Sequence, residues 1–270
     1  METILTCIVP FAPKPFTRNW NLACDYLRQT IGSLLNSVDP RIAVVVVCHD
    51  QPNFSDFSDS RVHFIQATHQ PPPLGKAKDP VLATRDWLLK IRCGWEHAKI
   101  HLPSKYVMKM DADDFLSRKV VGFLASSVPS PGYRIINGWV WNTDSRFAIE
   151  STESFNILCG SSVIISTDFT EKEFDLDAVS TSVPDYATLA YAGKKPCLLI
   201  NELHGFADKA MALHGLQICD IPFRAGIYRD GNVNSHSRRT YKRHSLRYLL
   251  GRLRRLRLLT PSLRKEFALY

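Results

Sequence analysis

One seven-residue run constrains the fold of this chain more than any other feature. Ile42–Cys48 reads IAVVVVC and is apolar throughout. A strand with one face in water alternates apolar and polar residues, whereas a strand covered on both faces is continuously apolar. We therefore expect Ile42–Cys48 to lie inside a parallel sheet with helices on both faces.

The elements around this run alternate as a parallel sheet requires. Predicted strands are short apolar runs, and predicted helices repeat apolar residues at helical spacing, as Ala23, Leu27 and Ile31 do. In chain order we predict strand Thr3–Val9, helix Asn19–Asn36, strand Ile42–Cys48, strand Val62–Ile65, helix Pro80–Lys99 and strand Tyr106–Met110. This order predicts an α/β fold, a single Rossmann-like domain with a mostly parallel central sheet.

The pattern is looser after residue 130, and no repeat or Gly/Ser-rich linker divides the chain. We predict strands Tyr133–Trp141, Phe155–Ser166, Leu198–Ile200 and Gln217–Ile221, and helices Pro184–Ala192 and Leu203–His214. The simplest interpretation is one domain, residues 1–237, followed by a tail, residues 238–270.

The net charge of +8 is concentrated in this tail. Residues 238–270 hold eleven Lys or Arg and one acid, a net charge of +10, whereas the rest has 23 basic and 25 acidic residues, a net charge of −2. Leucines repeat at helical spacing between the arginines: Leu246, Leu249, Leu250, Leu253 and Leu256 alternate with Arg247, Arg252, Arg254, Arg255 and Arg257. This pattern predicts a basic amphipathic helix that lies on an anionic membrane surface.

Other interpretations of the tail remain open: it folds back on the domain, it dimerises, or it binds nucleic acid. Arg-rich runs bind phosphate backbones. However, the tail contains no recognised nucleic-acid module and no aromatic interleaving. We therefore expect no nucleic-acid partner.

Cysteine usage and hydropathy indicate the compartment. Seven cysteines are scattered without a CxxC pair, which is typical of reduced, buried thiols and argues against a cysteine-based zinc site. Met1–Pro10 reads as an opening strand rather than a signal peptide, and no apolar run approaches the ~20 residues that span a bilayer. We expect a cytoplasmic protein, peripheral on the inner face of the membrane if the tail binds lipid.

An acidic cluster follows the last predicted strand of the first half. Asp111, Asp113 and Asp114 come directly after Met110. Ligands of open α/β sheets bind at the carboxyl ends of strands, and neighbouring carboxylates repel one another unless a cation lies among them. Hard divalent cations take carboxylate oxygens and often share a substrate phosphate. The cluster indicates a metal bound jointly with a phosphorylated substrate; a solvated acidic turn is the alternative.

The segment 106–117, YVMKMDADDFLS, resembles the strand and DxD motif of the family 2 glycosyltransferases with a GT-A fold. Four other segments are similar to that family in the same order: TCIVPF at 6–11, VCHD at 47–50, DWLLK at 86–90 and GSSVIIS at 160–166. The resemblance covers about residues 3–235, and its specific part is the DxD segment. It implies a glycosyltransferase that uses a nucleotide-diphosphate sugar.

Carried over position by position, the resemblance implies a set of site residues. Those that would bind the nucleotide sugar are Pro10, Asp50, Asp86, Lys90 and Asp111, and those that would bind the metal, Mn²⁺ or Mg²⁺, are Asp111, Asp113 and His236. For Asp114 we weigh a supporting role against a helix N-cap and prefer the cap. The acceptor would be a hydroxyl of a glycan or glycolipid. Trp139 and Trp141 are candidates to stack on its sugar, although half-buried strand aromatics are more often core residues.

Asp208 is the predicted catalytic base. Inverting family members show an acidic pair at the start of a helix, and Asp208 matches the second acid whereas Ala207 replaces the first. A carboxylate at this place deprotonates an acceptor hydroxyl. A surface acid paired with Lys209 or Lys195 is the alternative interpretation, and Glu202 and Asp185 are the reserve candidates.

Three other functions use some of the same residues. A zinc hydrolase would use His204, Asp208 and His214, but the chain has no HExxH motif. A nucleotidyltransferase also pairs acids with a metal but usually has a Gly-rich loop after its first strand, and segment 11–18 contains no glycine. The last alternative is a catalytically silent adaptor at the membrane surface.

Overall fold

The computed structural model describes residues 2–54, 58–73, 79–143, 145–173, 207–212, 214–230 and 253–269. The first half contains β1 (Thr3–Pro10), a 3₁₀ turn (Lys14–Phe16), α1 (Trp20–Leu35), β2 (Ile42–Cys48), β3 (Val62–Gln66), α2 (Pro80–His101) and β4 (Ser104–Lys109). The predicted elements of this half are confirmed, with ends that move by one or two residues. Asn19 caps α1, since its Oδ1 accepts a hydrogen bond from the Leu22 N–H.

The second half departs from the sequence prediction. It contains β5 (Phe115–Leu116), α3 (Val120–Ser126), β6 (Gly132–Arg134), β7 (Gly138–Asn142), β8 (Phe147–Ser151), α4 (Phe155–Leu158), β9 (Val163–Ser166), α5 (Thr167–Glu173), α6 (Ala207–Ala212), β10 (Cys219–Asp220), β11 (Gly226–Asp230), β12 (Leu256–Leu258) and α7 (Pro261–Phe267). Two strand predictions are wrong in part: Tyr133–Trp141 is divided between β6 and β7, and Phe155–Ser166 begins with a helix. Predicted elements Pro184–Ala192 and Leu198–Ile200 lie outside the described residues.

The larger sheet has seven strands in the order β10-β6-β9-β4-β1-β2-β3. All neighbouring pairs are parallel except the two that β9 makes, with β4 and with β6. The predicted fold class, α/β with a mostly parallel central sheet, is confirmed.

Helices cover both faces of this sheet, as the apolar run of β2 requires. Val44 and Val46 pack with Leu27 and Ile31 of α1, in a buried cluster that also contains α3. Val45 and Val47 point to the other face and share a cluster with α2, α5 and α6. Every residue of β2 is buried, which explains why no polar residue interrupts the run.

The strand order defines one crevice where a ligand is expected. From β1 the chain moves to β2 and β3 on one side, and β4 then pairs on the other side of β1. Open α/β sheets bind ligands at such a switch point, outside the carboxyl ends of the strands. The Met110 N–H donates to the Ile8 carbonyl at 2.8 Å, so the chain after β4 leaves the sheet beside the end of β1.

A second sheet, which the sequence did not predict, has the order β12-β8-β7-β11-β5. Gly138 and Gly226 are paired neighbours in β7 and β11, and the ring of buried Phe155 lies against both. A Cβ on Gly138 would approach Phe155 Cδ2 to 2.3 Å, so this close approach requires glycine. The core of the second sheet includes Phe115, Trp141 and Ile227.

The distal part of the tail differs from the predicted amphipathic helix. Residues 231–252 lie outside the described part of the chain, but Leu256–Leu258 is a strand that pairs antiparallel with β8. Leu259 and Phe267 are buried in the core of the second sheet. The leucines at helical spacing therefore do not form one helix through Leu256. Residues 256–258 pair with β8 instead, and Leu259 is buried against the second sheet. The boundary between residues 237 and 238 stays a prediction.

Within the described residues, no helix has both the length and the apolar character needed to cross a bilayer. The six described cysteines are free thiols, and Cys7, Cys48 and Cys159 among them are buried.

Candidate functional site

The carboxyl edge of the seven-stranded sheet brings together the residues predicted to bind the nucleotide sugar. Pro10 ends β1 opposite Val47 of β2, and Asp50 follows β2. The Asp50 carboxylate accepts a hydrogen bond from the Lys14 N–H at 2.8 Å, which connects the loops after β1 and β2. Both residues thus lie beside the switch-point crevice.

Asp86 and Lys90 form a buried ion pair one helical turn apart on α2. Lys90 Nζ donates to Asp86 Oδ2 at 2.6 Å and to the Phe11 carbonyl at 2.8 Å. The Lys90 side chain is only 1% exposed. Lys90 therefore holds the end of β1 against α2 rather than presenting its charge to solvent.

Two histidines meet the other oxygen of Asp86. His49 Nε2 and His69 Nε2 lie 2.7 Å and 2.9 Å from Asp86 Oδ1, and the two rings are nearly perpendicular, with centroids 4.8 Å apart. The ligand atoms of the three residues all lie within 4.8 Å of one another. This group, His49–His69–Asp86, could hold a metal ion.

The neighbours of Asp86 keep its carboxylate ionised, which is the form that binds a cation. Burial alone would raise the pKa of Asp86, but the hydrogen bond from His69, the charge of Lys90 and the bond from His49 together lower it to about 2. Burial lowers the pKa of His49, which favours a neutral imidazole, although the bond to Asp86 opposes this. Burial also lowers the pKa of Lys90, opposed by Asp86.

Neither His49 nor His69 is predicted from the sequence to be a functional residue. His49 stands beside Asp50 in the VCHD segment, and His69 lies in the loop after β3. The two are far apart in sequence, so only the parallel pairing of β2 and β3 brings them together. The available signal was a histidine within four residues of the end of each of two adjacent predicted parallel strands.

Asp111 lies in a tight pocket after β4. Its N–H donates to Ser161 Oγ at 2.8 Å. A Cβ on Gly160 would come within 2.8 Å of Asp111 Oδ2 and 3.4 Å of Lys109 Nζ, so the glycine makes room for both side chains. Lys109 is buried and packs on the ring of Trp87, with Nζ 4.3 Å from the ring centroid.

Asp114 is a buried support of this pocket, and the preferred interpretation as a helix cap is wrong. Its Oδ2 accepts hydrogen bonds from Ser161 Oγ at 2.7 Å and from Cys159 Sγ at 3.1 Å. Helix α3 begins only at Val120, with Lys119 at its cap position. Burial, and then the charges of Asp113 and Asp111, raise the pKa of Asp114 well above its ordinary value.

Arg229 of β11 supports the same turn from the second sheet, and sequence reasoning missed it. Its Nε donates to the Asp113 carbonyl at 3.1 Å, and its Nη2 donates to Gln29 Oε1 of α1 at 2.7 Å. The guanidinium lies 3.9 Å from the Tyr26 ring centroid and is almost completely buried. Burial lowers the pKa of Arg229, opposed by the charge of Asp113. Arg229 thus connects α1, β11 and the acidic turn.

The acidic turn after β4 presents two half-buried carboxylates. Asp111 and Asp113 are both half-buried, and their charges act on the buried carboxyl of Asp114. Among the described residues, the only three-residue group of metal-ligating side chains within 4.8 Å is the His49–His69–Asp86 group. The turn thus offers two carboxylates rather than a full protein cage, which is how Mg²⁺-type ions are usually held together with substrate phosphates.

Asp208, the predicted base, lies near the same edge of the sheet. Its Oδ1 is 3.6 Å from Arg134 Nη1, and its side chain is 51% exposed. Arg134 ends β6, which is two strands from β4 and therefore about 10 Å away. Ala207 is fully buried, so an acid at this position would lie in an apolar cluster.

The remaining predicted residues divide into two groups. The structure does not describe His236, Glu202, Asp185, His204 or Lys195, nor the side chain of Lys209. Trp141 is a core residue whose Nε1 donates to the Ser145 carbonyl at 2.9 Å. Trp139 is half-buried and lines a cavity of about 400 Å³ beside Glu150 and Arg257.

The chain has distant structural similarities to solved proteins. No protein-family model matches the chain, and neither does any curated protein. Over 84% of its length the chain is similar to a structure of S. aureus TarS 1–349, with 12% identity and a TM-score of 0.46, and it spans 60% of that structure.

The second similarity is to a protein from Desulfovibrio desulfuricans G20 with a provisional assignment as a nucleotide-diphospho-sugar transferase. The identity is 10% and the TM-score 0.37, with 91% of this chain and 94% of that chain covered. At these scores, neither the fold family nor the activity of either protein is transferred to this chain.

Proposed function

We propose that the chain is a metal-dependent glycosyltransferase that moves a sugar from a nucleotide-diphosphate donor to a hydroxyl of a glycan or glycolipid. One observation supports this above all: Asp111 and Asp113 follow β4 at the switch point of the parallel sheet, beside the end of β1. The resemblance of this segment to the DxD motif of family 2 glycosyltransferases fits that position.

The donor would occupy the crevice outside β1, β2 and β4. Asp50 and the backbone at Pro10 line the β1–β2 side, where the nucleoside would lie. Asp86 and Lys90 are buried, so their part is to position the end of β1 through the Phe11 carbonyl. Asp111 would face the ribose or the metal.

Asp111 and Asp113 would hold Mn²⁺ or Mg²⁺, with His236 as a further proposed ligand. The metal would neutralise charge that develops on the departing nucleoside diphosphate. The protein's own groups keep the acidic turn in place: Ser161 binds the Asp111 N–H, and Arg229 binds the Asp113 carbonyl. These bonds fix the backbone of the turn that carries the two carboxylates.

Asp208 would act as the base. The acceptor oxygen forms a bond to the anomeric carbon of the sugar, the bond from that carbon to the diphosphate oxygen breaks, and the acceptor proton passes to Asp208. The Arg134 guanidinium, with Nη1 3.6 Å from Asp208 Oδ1, orients this carboxylate. A base on the face opposite the leaving group is the inverting arrangement, which we propose here.

Substitution of the base separates chemistry from donor binding. Asp208→Asn should lose transfer while it keeps donor affinity, because a base acts on the acceptor in the transition state. Transfer rate and donor affinity are measured on the same preparation, with Asp220→Asn, the other acid at Arg134, as the matched control. Unchanged transfer by Asp208→Asn moves the base to Glu202 or Asp185.

A nucleotidyltransferase is the alternative enzyme, since the same edge would also suit a nucleoside triphosphate. Thermal unfolding in a panel of nucleoside diphosphate sugars and triphosphates, with and without Mn²⁺, separates the two. The proposal expects stabilisation by a diphosphate sugar in the presence of Mn²⁺. Stabilisation only by a triphosphate supports the alternative, and no stabilisation by any of them supports the silent adaptor.

The tail would add a peripheral membrane contact on the cytoplasmic side. In its described part Leu253, Arg254, Arg255 and Leu258 are exposed, whereas Leu259 and Phe267 pack inwards. Exposed arginines near anionic lipid each contribute about 1 kcal/mol, screened by salt. Replacing Arg254 and Arg255 by Gln should weaken co-sedimentation with anionic vesicles at low salt, without loss of the fold.

A further inference from the structure

Two imidazoles and one carboxylate from three separate elements converge at the carboxyl edge of the seven-stranded sheet. His49 follows β2, His69 follows β3 and Asp86 lies on α2, and both Nε2 atoms lie within 2.9 Å of the same Asp86 oxygen. We propose that His49, His69 and Asp86 bind a transition metal of the Zn²⁺ type, at a site separate from the carboxylates of Asp111 and Asp113.

The donor set selects this class of metal. Imidazole nitrogen suits Zn²⁺, Co²⁺ and Ni²⁺, whereas Mg²⁺ and Mn²⁺ favour a shell made mainly of oxygen, such as Asp111 and Asp113 offer together with a diphosphate. Two histidines and one carboxylate also leave one tetrahedral position open, as in zinc sites that accept a water or a ligand atom.

The surroundings orient the three ligands. The side chains of His49, His69 and Asp86 are 6%, 18% and 8% exposed, so little solvent competes for the ion. Lys90 holds Asp86 Oδ2 at 2.6 Å, which leaves Oδ1 for the two imidazoles. Gln66 Nε2 donates to the His49 carbonyl at 2.9 Å and fixes the backbone there. Such outer contacts are what metal ligands require for a defined orientation.

An ion at this place would join the ends of β2 and β3 to α2. The same segments contain Asp50 and, through Lys90, the end of β1. The site therefore stabilises the wall of the crevice whether or not that crevice binds a nucleotide sugar. Metal binding and donor binding can be tested independently.

The test compares two histidine substitutions in the metal-stripped full chain. His69→Gln keeps an N–H that can donate to Asp86 but removes the imidazole ligand, and His101→Gln removes an exposed histidine that packs against His97. Zinc affinity is measured by competition with a chromophoric chelator, and the visible absorption of bound Co²⁺ reports nitrogen and oxygen coordination.

The wild-type chain should bind one Zn²⁺, and His69→Gln should weaken this binding by about 100-fold or more, since loss of an outer contact alone costs 10–100-fold. His101→Gln and Asp113→Asn should leave zinc affinity unchanged. The proposal is overturned if the wild type binds neither ion, if His69→Gln binds zinc as the wild type does, or if His101→Gln abolishes binding.

Folding of the variants is checked by thermal unfolding in the presence of chelator. If His69→Gln does not fold, His49→Gln is judged by the same affinity criterion. A result in which the wild type binds Zn²⁺ here but no nucleotide sugar would uphold this site and reject the glycosyltransferase function.

Discussion

The two sheets of the molecule differ in how they are buried. The seven-stranded sheet has helices on both faces, and its strand β2, which lies between β1 and β3, has no exposed residue. In the five-stranded sheet, β7 and β8 mix buried, half-buried and exposed residues, and part of the core comes from Leu259 and Phe267, more than a hundred residues further along the chain. A strand that packs against helices close to it in sequence has a recognisable apolar pattern. A strand that packs against a segment far along the chain does not.

The most severe test of this difference removes the distant segment. A chain ending at Arg255 lacks β12, α7 and the buried side chains of Leu259, Phe267 and Leu269. At about 1.5–3 kcal/mol for each buried side chain, the loss approaches the whole stability of a domain. We expect amide protons of β7 and β8 to lose protection against hydrogen exchange.

A tail that served only as a membrane anchor would give the opposite result. The truncated chain would then unfold at the wild-type temperature, and the amide protons of β7 and β8 would keep their protection. This result would mean that the pairing of β12 with β8 does not stabilise the protein.

A single tail residue should have the next largest effect. Phe267→Ala removes a fully buried ring from the core of the second sheet and should cost about 3–5 kcal/mol in the free energy of unfolding. Leu258→Ala, in the same segment but 57% exposed, should change it by less than about 0.5 kcal/mol. Denaturant unfolding measures both, and equal effects would contradict the packing described.

Two glycine substitutions, one in each half of the chain, should give the smallest changes in the free energy of unfolding. Gly138→Ala brings a methyl group into the ring of Phe155 and should destabilise the protein by about 1–3 kcal/mol. Gly32→Ala, in α1 of the first half, meets no atom within 4 Å and should stabilise by about 0.5–1 kcal/mol. Opposite signs in denaturant unfolding are the expected outcome. A neutral Gly138→Ala would mean that Phe155 has room to move.

These differences explain how far the sequence could be interpreted. Asn19–Asn36 is predicted nearly to its ends because its cap and apolar spacing are local. Tyr133–Trp141 is misinterpreted as one strand because both of its halves are β-like, and the crossing between sheets at 135–137 depends on partners elsewhere. The tail is misinterpreted at Leu256 because the pairing with Ile149 of β8 outweighs helical spacing.

In the candidate site too, residues in a local sequence pattern could be predicted, and residues brought together by long-range contacts could not. Asp111 and Asp113 are predictable because three carboxylates after a buried strand form a local pattern. The residues that hydrogen-bond to this turn could not be predicted, because Ser161 lies in the turn before β9 and Arg229 lies in the second sheet. His49 and His69 meet only through the pairing of β2 with β3.

The measurement that tests the central claim most directly is calorimetric binding of nucleoside diphosphates and their sugars to the full chain, with and without Mn²⁺. The account predicts Mn²⁺-dependent binding by the wild type and its loss in Asp113→Asn, because a neutral amide ligates a divalent ion poorly. Asp208→Asn, which leaves the acidic turn intact, should bind as the wild type does. Wild-type affinity in Asp113→Asn, or no binding of any nucleoside diphosphate by the wild-type chain, would contradict it.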